Sequence, residues 1–465
     1  MKKLFTSYSL IFFLLFSQNS YAGLSLIRDA ETEKFLHELA DPIFKAADLD
    51  AKNIKIYIVN DDTLNAFVSG GQNVFLNTGL IRKYTTPDTL IGVIAHETGH
   101  IAAGHLARSS EAMENATGAM LLSYLLGIGA VVAGSPEAGQ ALILGGSNTA
   151  ERMYMKFNRG QEEAADQRAI EYLGKMSYPA DGLVNLLEFF ESEMIGSKSQ
   201  MDEYLMSHPV SKKRIDLIKA RTLSVHFSDK KINRKLQRSM DIVLAKLEGY
   251  MENPDEILKK YQNQNDDLSN YKKSIAFSKQ GKSSQSLELL DKVITNKSFE
   301  RLKNITKSDN NIDAELGFLF ELKGQILFES GQIIESTIAY NRALKLLKDK
   351  DASQSKIAFS SAILSLKKDD SDLINLAIKN LEEAKEFEDD NPFLFRQLAT
   401  AYSKIKDEGM SLLALAEFNL LIGQKDKSIK YAKEAKDKLD KSDKVNLLHA
   451  DDLIELSKKM KGEKE

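Results

Sequence analysis

The stretch VIAHETGHIAAGH, residues 93–105, decides how this chain folds because it carries an HExxH motif in an apolar context. Residues four positions apart project from the same face of a helix, so His96 and His100 can bind one metal ion together. Glu97 lies about 100° further round that helix. It is therefore placed beside the metal, where it can take a proton from a water molecule that the metal activates. The alternative is a helix surface with two bystander histidines.

The residues around the motif predict a helix. Apolar side chains recur at helical spacing over residues 88–113, and Asp88 or Thr89 is a suitable N-cap. On a helix that continues to His105, this third histidine lies half a turn away from His96. We therefore expect His105 to pack beside the site or to support a ligand, and not to bind the metal.

A carboxylate ligand is expected on a second helix. Two histidines leave a tetrahedral zinc ion short of one protein ligand besides its open water position, and the chain has no cysteine. The stretch FNRGQEEAADQRAIEYLG, residues 157–174, predicts a helix that carries Glu162, Glu163 and Asp166. Glu162 is the expected ligand, and Asp166, one turn later, can accept the N–H of a ligating histidine and fix its tautomer. Glu163 is the alternative ligand.

HETGHIAAGHLAR and NRGQEEAADQRA, followed by SHPVSKKR at residues 207–214, resemble metallopeptidase family 48, the HtpX-like zinc endopeptidases. The resemblance is strong over residues 60–215 and loose over the C-terminal half. It implies one Zn²⁺ ion per chain. The site that it implies has His96, His100 and Glu162 as zinc ligands, Glu97 as catalytic base and Asp166 as a supporting carboxylate.

The same resemblance implies two further active-site residues, His208 and Arg214. His208 would either bind the open zinc position in a resting state or donate a hydrogen bond to the oxyanion during turnover. The sequence does not choose between these two roles. In the alternative without a catalytic role, His208 ends a helix before Pro209 and Arg214 pairs with surface acids.

The composition and the N-terminus indicate an exported protein of two or three domains. The chain has 465 residues, and its net charge of −4 gives no indication of a nucleic-acid partner. Residues 1–22 combine two lysines, a short apolar core and small residues before the end, which predicts a secretory signal peptide. An uncleaved membrane anchor is the alternative. We therefore expect the mature chain in a periplasm, either free or associated with a membrane.

We predict an α+β fold that is mostly α and has two domains. Residues 23–265 are the zinc peptidase domain, in which SGGQN at residues 69–73 predicts a β-hairpin and a small sheet. Residues 266–465 predict an all-α tetratricopeptide-like solenoid. Small residues such as Gly324 and Gly331 recur there at matching offsets. An irregular helical bundle is the alternative.

An apolar segment, residues 115–150, separates the two halves of the expected metal site. Its first 22 residues contain no charge and are just long enough to cross a bilayer, whereas its second part is too short. Three interpretations compete: a transmembrane hairpin, a substrate-gating or membrane-surface element, and a buried pair of core helices. We favour the gating element or a peripheral membrane contact.

These features predict an exported zinc endopeptidase that degrades misfolded or unassembled envelope proteins. The edge of the hairpin, residues 66–79, can pair with an extended peptide, or it can be core structure only. The resemblance also implies chaperone activity in outer-membrane protein assembly, with an outer-membrane assembly machine as a partner. The alternative is a chaperone or assembly adaptor that acts through the helical repeats and keeps its protease latent.

Overall fold

The computed structural model describes most of the chain and confirms the α+β, mostly α, fold class. The described residues are 24–84, 86–105, 108, 120, 122–123, 125–126, 136–196, 208–222, 234–303, 310–367 and 369–462. The predicted signal peptide, residues 1–22, lies outside them. Backbone contacts divide the chain into a peptidase unit, Phe35–Met240, and a helical unit, Met1–Lys34 with Asp241–Glu465.

This division differs from the predicted boundary at residues 265 and 266. It falls inside the helix Arg234–Met251, and residues up to Lys34 are grouped with the C-terminal helices. The physical reason lies in the helical core, where Ala245 of that helix packs with Tyr271 and Ile275. Apolar contacts therefore place residues 241–265 in the helical unit.

The described elements up to Thr222 are one strand and one helix, then three consecutive strands, then five helices. They are β1 (Leu26–Ile27), α1 (Ala30–Ala46), β2 (Ile56–Val59), β3 (Ala66–Ser69), β4 (Asn73–Asn77), α2 (Thr78–Lys83), α3 (Pro87–Ala103), α4 (Pro136–Lys175), α5 (Asp181–Gly196) and α6 (Lys212–Thr222). The helix α1 crosses the division between the units at Lys34.

Three strands of the peptidase unit pair in the order β2-β4-β3. β2 and β4 are parallel, with Ile56 opposite Val74, and β3 and β4 are antiparallel, with Ala66 opposite Leu76. The predicted hairpin at residues 69–73 is confirmed, and β3 lies at an edge of the sheet. Because the β4 side chains Phe75 and Leu76 are fully buried, this strand anchors the sheet in the core.

The helix α3 carries the HExxH motif and is buried on almost every side. It begins at Pro87 with Thr86 as N-cap, so the predicted N-cap at Asp88 or Thr89 is wrong. Proline is favoured at the first helical position because its fixed φ suits a helix and its missing N–H has no partner there. The helix ends at Ala103, and Gly104 follows in the left-handed conformation with a φ of 63°.

α3 and α4 cross at Gly99, a residue without a side chain. A Cβ atom added to Gly99 would lie 2.6 Å from the carbonyl oxygen of Ala165, which is far closer than two such atoms can approach. Ala165 stands between Glu162 and Asp166 on α4. The close crossing therefore brings both carboxylates next to the histidines of α3.

The helical unit continues with helices that pack mainly against their neighbours in sequence. They are α7 (Arg234–Met251), α8 (Pro254–Lys260), α9 (Asp267–Lys279), α10 (Ser283–Lys303), α11 (Asn310–Glu329), α12 (Ile333–Leu344), α13 (Ser353–Leu364), α14 (Ser371–Lys385), α15 (Pro392–Lys404), α16 (Glu408–Leu421), α17 (Lys425–Lys438) and α18 (Lys444–Gly462).

The recurring small residues lie where paired helices touch. Ser336 Oγ of α12 donates to the carbonyl oxygen of Gly324 on α11 at 2.8 Å, and the ring of Tyr340 covers the same glycine. In the preceding hairpin, the hydroxyl oxygens of Ser274 and Ser286 lie 3.1 Å apart, both fully buried. These contacts explain the matching offsets, while the assignment to the tetratricopeptide class stays a prediction.

The N-terminal segment, residues 24–34, is tied to the helical unit by buried ion pairs. Arg28 Nη2 donates to Glu388 Oε2 at 2.8 Å, and both side chains are nearly inaccessible to water. Lys246 Nζ contacts Asp29 Oδ1 and lies 3.2 Å from Glu31 Oε2. Buried ion pairs of this kind are strongly destabilising to break, because one charge is then left without its partner.

Part of the predicted apolar segment 115–150, including residues 127–135, lies outside the described residues. Residues 136–150 form the first part of α4, and the side chains of Leu122 and Leu125 are exposed. No helix in the described ranges combines the length and the hydrophobicity needed to cross a bilayer. The gating and membrane-surface interpretations of this segment stay predictions.

Candidate metal centre

Four side chains converge where α3 and α4 cross, and three of them are fully buried. His96 and His100 come from α3, Glu162 from α4 and His208 from the segment before α6. One nitrogen or oxygen atom from each lies within 4.8 Å of the other three. The structure therefore brings together all three ligands expected from the sequence, and it adds His208 to them.

Several of the distances between ligand atoms of the cluster fall between 3.1 and 3.4 Å. His96 Nε2 lies 3.1 Å from His100 Nε2 and 3.3 Å from His208 Nδ1. Glu162 Oε1 lies 3.2 Å from His100 Nε2, and Glu162 Oε2 lies 3.4 Å from His96 Nε2. His208 Nδ1 is 3.2 Å from each oxygen of that carboxylate.

The arrangement fits a tetrahedral metal ion. Zinc bonds to nitrogen and oxygen of about 2.0–2.1 Å place neighbouring ligand atoms about 3.3–3.4 Å apart. The observed separations of 3.1–3.4 Å agree with such a tetrahedron. Two imidazole nitrogens 3.1 Å apart can share only one proton, whereas a cation at the centre satisfies all four lone pairs. Three nitrogens and one carboxylate oxygen are donors that zinc accepts.

Asp166 and Arg214 contact the cluster residues His96 and Glu162. Asp166 Oδ1 lies 2.9 Å from His96 Nδ1, the ring nitrogen that faces away from the cluster. Arg214 donates from Nε to Asp166 Oδ2 at 2.5 Å and from Nη2 to Oδ1 at 3.0 Å. Arg214 Nη1 also lies 2.8 Å from Glu162 Oε2. This arginine is buried and pairs with the two carboxylates of the site, not with surface acids.

The charges of these groups set the ionisation of the carboxylates. Burial raises the pKa of Glu162, but the charges of His208 and Arg214 outweigh it and hold that pKa well below the usual value. For Asp166, burial is likewise outweighed by the charge of Arg214, and the pKa is lowered. Both groups are therefore anionic and suited to a cationic site.

The two histidines of the motif differ in proton affinity before metal binds. Burial lowers the pKa of His100 to about 3. Burial acts in the same direction on His96, but hydrogen bonds to Asp166 and Glu162 raise its pKa to about 10. A metal ion would therefore displace a proton from His96 as it binds.

Glu97 lies beside the cluster, as expected for a group that does not bind the metal. It is buried, and its Oε1 atom lies 3.5 Å from His208 Nε2. No hydrogen-bond donor among the described residues reaches that oxygen. Burial raises the pKa of Glu97 above its usual value. A carboxylate with a raised pKa accepts a proton readily, which is the requirement for a general base.

Glu163, the alternative ligand, lies away from the cluster. Its Oε1 atom accepts a hydrogen bond from Lys213 Nζ at 3.0 Å on the partly exposed face of α4. Because Glu162 and Glu163 are neighbours on a helix, only one of them can face α3.

His105 lies outside the four ligand atoms, as expected, but for a different reason. The helix ends before it, so its position half a turn from His96 on a continued helix does not apply. The chain turns back at Gly104, and His105 Nδ1 lies 3.0 Å from His100 Nδ1. Burial lowers the pKa of His105 to about 4. Gln161, which no sequence pattern singled out, donates from Nε2 to the His105 carbonyl oxygen at 3.2 Å.

Comparison with known proteins confirms the expected resemblance over the N-terminal part of the chain. Residues 28–222 match peptidase family M48. The β-barrel assembly-enhancing protease of Yersinia pestis is 28% identical over 194 residues, which are 42% of this chain and 40% of that protein. The protein of the same name from Escherichia coli K12 is 27% identical over 192 residues, 41% and 39% of the two chains. Protease HtpX of Vibrio campbellii is 29% identical over 216 residues, 41% of this chain and 73% of HtpX.

The matched part spans about two-fifths of the length of the β-barrel assembly-enhancing proteases. It contains every residue of the four-ligand cluster, together with Glu97, Asp166 and Arg214. The family match and the buried donor set point to the same class of site, that of a metallopeptidase.

Proposed function

We propose that this chain, in which residues 28–222 form a peptidase family M48 domain, is a zinc-dependent endopeptidase. One observation carries the proposal: His96, His100 and Glu162 converge on one point with Glu97 beside them. Three protein ligands and an adjacent carboxylate are the minimum that a metal-assisted hydrolysis of peptide bonds requires.

The residues of the site divide the chemistry between them. When bound, zinc supplies Lewis-acid activation of water and of the scissile carbonyl group. Glu97 accepts the proton of the attacking water and passes it to the leaving amine. Asp166 holds the His96 ring in the tautomer that keeps Nε2 free. Arg214 balances the charge of the two carboxylates and fixes their orientation.

For His208 we propose the resting-state role. Its Nδ1 atom occupies the fourth position of the cluster, where water and substrate must enter during hydrolysis. Its Nε2 atom lies on the side of Glu97. A substrate that displaces this ring would open the site, so the placement favours repression at rest over stabilisation of the oxyanion.

The substrates that we propose are misfolded or unassembled envelope proteins. The edge strand β3 offers backbone groups to an extended peptide, which gives affinity without strict dependence on its sequence. The names of the relatives, β-barrel assembly-enhancing proteases, support a role in outer-membrane assembly. Together with the signal peptide expected at residues 1–22, this role supports our proposal that the protein acts in a periplasm.

We assign the partners on the same basis. The helical unit offers stacked hairpins, which suit protein partners such as an outer-membrane assembly machine and allow chaperone activity. Peripheral membrane contact through the apolar segment 115–150 is part of the proposal. A nucleic-acid partner is not.

The second candidate is an assembly adaptor with a latent protease. Its specific support is the closed, four-ligand arrangement with His208, because structural zinc sites are closed whereas catalytic sites keep one position open. The Glu97→Gln variant separates the candidates in cells that lack the gene. Full complementation supports the adaptor, and failure to degrade substrates supports the peptidase.

The experiment that tests the peptidase is a metal analysis of the purified protein, paired with cleavage of unfolded casein. We expect about one zinc ion per chain, cleavage that stops when a chelator is added, and recovery when zinc is returned. A metal-free protein, or cleavage that the chelator leaves unchanged, would contradict the proposal.

A further inference from the structure

His96 and His100 are the two proposed ligands on α3, and the Nδ1 atoms of their rings contact different residues. His96 has Nε2 in the cluster and Nδ1 2.9 Å from the carboxylate of Asp166. His100 likewise has Nε2 in the cluster, but its Nδ1 lies 3.0 Å from Nδ1 of His105. A ligating histidine needs a partner for its second nitrogen, because that hydrogen bond fixes the tautomer and the orientation of the ring.

The backbone around Gly104 positions His105 for its contact with His100 Nδ1. Gly104 adopts a φ of 63°, and its N–H caps α3 through the carbonyl oxygens of His100 and Ile101. This left-handed residue ends α3, and the next side chain, His105, contacts His100 of the helix that has just ended. The carbonyl oxygen of His105 accepts from Gln161 Nε2 at 3.2 Å, one position before the ligand Glu162.

The ring of His105 is also enclosed. The residue is only 4% exposed, and its ring meets that of His100 edge to face with 4.9 Å between the centroids. Both the backbone and the ring of His105 are therefore fixed relative to α3 and α4.

The direction of the hydrogen bond follows from the chemistry of a ligand. A histidine that gives the lone pair of Nε2 to a metal ion carries its proton on Nδ1. For His100 this proton points at His105 Nδ1, which can accept it only if His105 carries its own proton on Nε2. This arrangement of protons makes the hydrogen bond between the two rings and leaves Nε2 of His100 free for the metal.

We propose that His105 is the positioning residue of the second zinc ligand: it accepts the Nδ1 proton of His100 and so directs Nε2 of His100 at the metal. His105 does for His100 what Asp166 does for His96, but without adding a negative charge. This inference rests on the proposed zinc site and adds a residue to which the family resemblance gives no role.

The test measures zinc affinity of the full-length protein by chelator competition, with no substrate present. Three variants separate the hydrogen bond from packing. His105→Ala removes both, His105→Phe keeps a ring without an acceptor, and His105→Asn keeps an acceptor at the position of Nδ1. We expect Ala and Phe to weaken zinc binding about 10- to 100-fold, and Asn to restore most of the loss.

His37→Asn is the matched control, because His37 is a histidine of the same unit that contacts Asp41 instead of the cluster. It should leave zinc affinity unchanged. A Phe variant that binds zinc like the wild type, or an Asn variant as weak as Ala, would assign His105 to packing and overturn the inference. Circular dichroism of the metal-free variants identifies any that fail to fold, and His105→Asn keeps the test informative if Ala does not.

The outcome is separable from that of the proposed function. A wild type that binds zinc in a His105-dependent manner but cleaves nothing would contradict only the peptidase. Cleavage with a zinc affinity that is indifferent to all three substitutions would contradict only this inference.

Discussion

Gly99 of α3 lies against the backbone of Ala165 on α4, so close that a Cβ atom would stand 2.6 Å from the Ala165 carbonyl oxygen. This contact sets the spacing of the two helices that carry the metal-binding residues. His100 follows Gly99, and Glu162 lies one turn before Ala165. The distance between His100 on one helix and Glu162 on the other, both proposed as metal ligands, therefore depends on the absence of a side chain at Gly99.

Gly99→Ala should push the two helices apart. We expect a loss of about 1–3 kcal/mol in the free energy of unfolding, as overpacked cores show, and a weaker affinity for zinc. Gly160→Ala on α4 is the control, since a Cβ there meets nothing within 4 Å. This control should be neutral or stabilising by up to about 1 kcal/mol because alanine favours the helix. Urea denaturation and chelator competition measure both effects; equal behaviour of the two variants would contradict the role of the crossing.

Glu97→Gln should abolish proton transfer while the ligands stay intact. We expect kcat on casein to fall by about 10²- to 10⁴-fold, with zinc content unchanged. Glu163→Gln is the matched control, because its carboxylate pairs with Lys213 outside the cluster. The assignment of Glu97 as the base fails if the variant retains its kcat.

His208→Ala should raise the cleavage of unfolded casein, because the fourth position of the cluster is then open to water and substrate at rest. The measurement is kcat/KM of the variant against that of the wild type, at equal zinc content. A large fall in kcat would instead support the oxyanion role of His208 and remove the resting-state proposal.

Arg214→Leu should destabilise the metal-free protein by about 3–5 kcal/mol at pH 7, because two buried carboxylates lose their cation. Arg214 lowers the pKa of Asp166. The stabilisation is therefore present above the usual pKa of an aspartate and is lost as the pH falls through the lowered value. Lys213→Leu, which breaks an exposed ion pair, should cost less than about 1 kcal/mol. Similar losses in both variants at pH 7 would refute the assignment.

Glu321 gives the helical unit a pH dependence of opposite sign. Burial, opposed by the charge of Lys246, raises the pKa of Glu321 to about 7 from 4.5. The folded state thus holds a proton that the unfolded chain releases, so the contribution to stability is complete below 4.5 and is lost as the pH rises through 7.

Glu321→Gln should therefore resemble the wild type at pH 4.5 and exceed its free energy of unfolding by about 1–3 kcal/mol at pH 8. Glu335→Gln on α12, which replaces an exposed carboxylate, should change little at either pH. Denaturation curves at the two pH values measure these free energies of unfolding. An increase in the free energy of unfolding of Glu321→Gln that is the same at both pH values would rule out titration of Glu321.

The metal centre was largely predictable because its information is local. The HExxH spacing and one carboxylate on a following helix require only helical geometry, and the structure brings those residues together. The start of α3 was predicted one turn or less too late, because Asp88 and Thr89 are both suitable N-caps whereas the helix begins with Pro87 at its first position. The position of His105 was also missed, although Gly104 is a recognisable helix-ending residue.

Other features depend on contacts between distant residues, which no local pattern contains. Arg214 contacts Asp166 across 48 positions of sequence, and Arg28 contacts Glu388 across 360. Helical spacing predicts which side chains share a face, but it does not predict which face another segment will meet. The division of the chain at Met240 likewise depends on contacts between residues that are distant in sequence.

The pairing of Arg28 with Glu388 has a consequence for the order of folding. During synthesis, Arg28 emerges early and must wait for most of the chain before its partner appears. Closing so long a loop is slow, because chain entropy opposes it until many contacts form at once. Docking of the N-terminal segment should thus follow the rate-limiting step in refolding of the helical unit, so Arg28→Met should speed unfolding more than it slows folding.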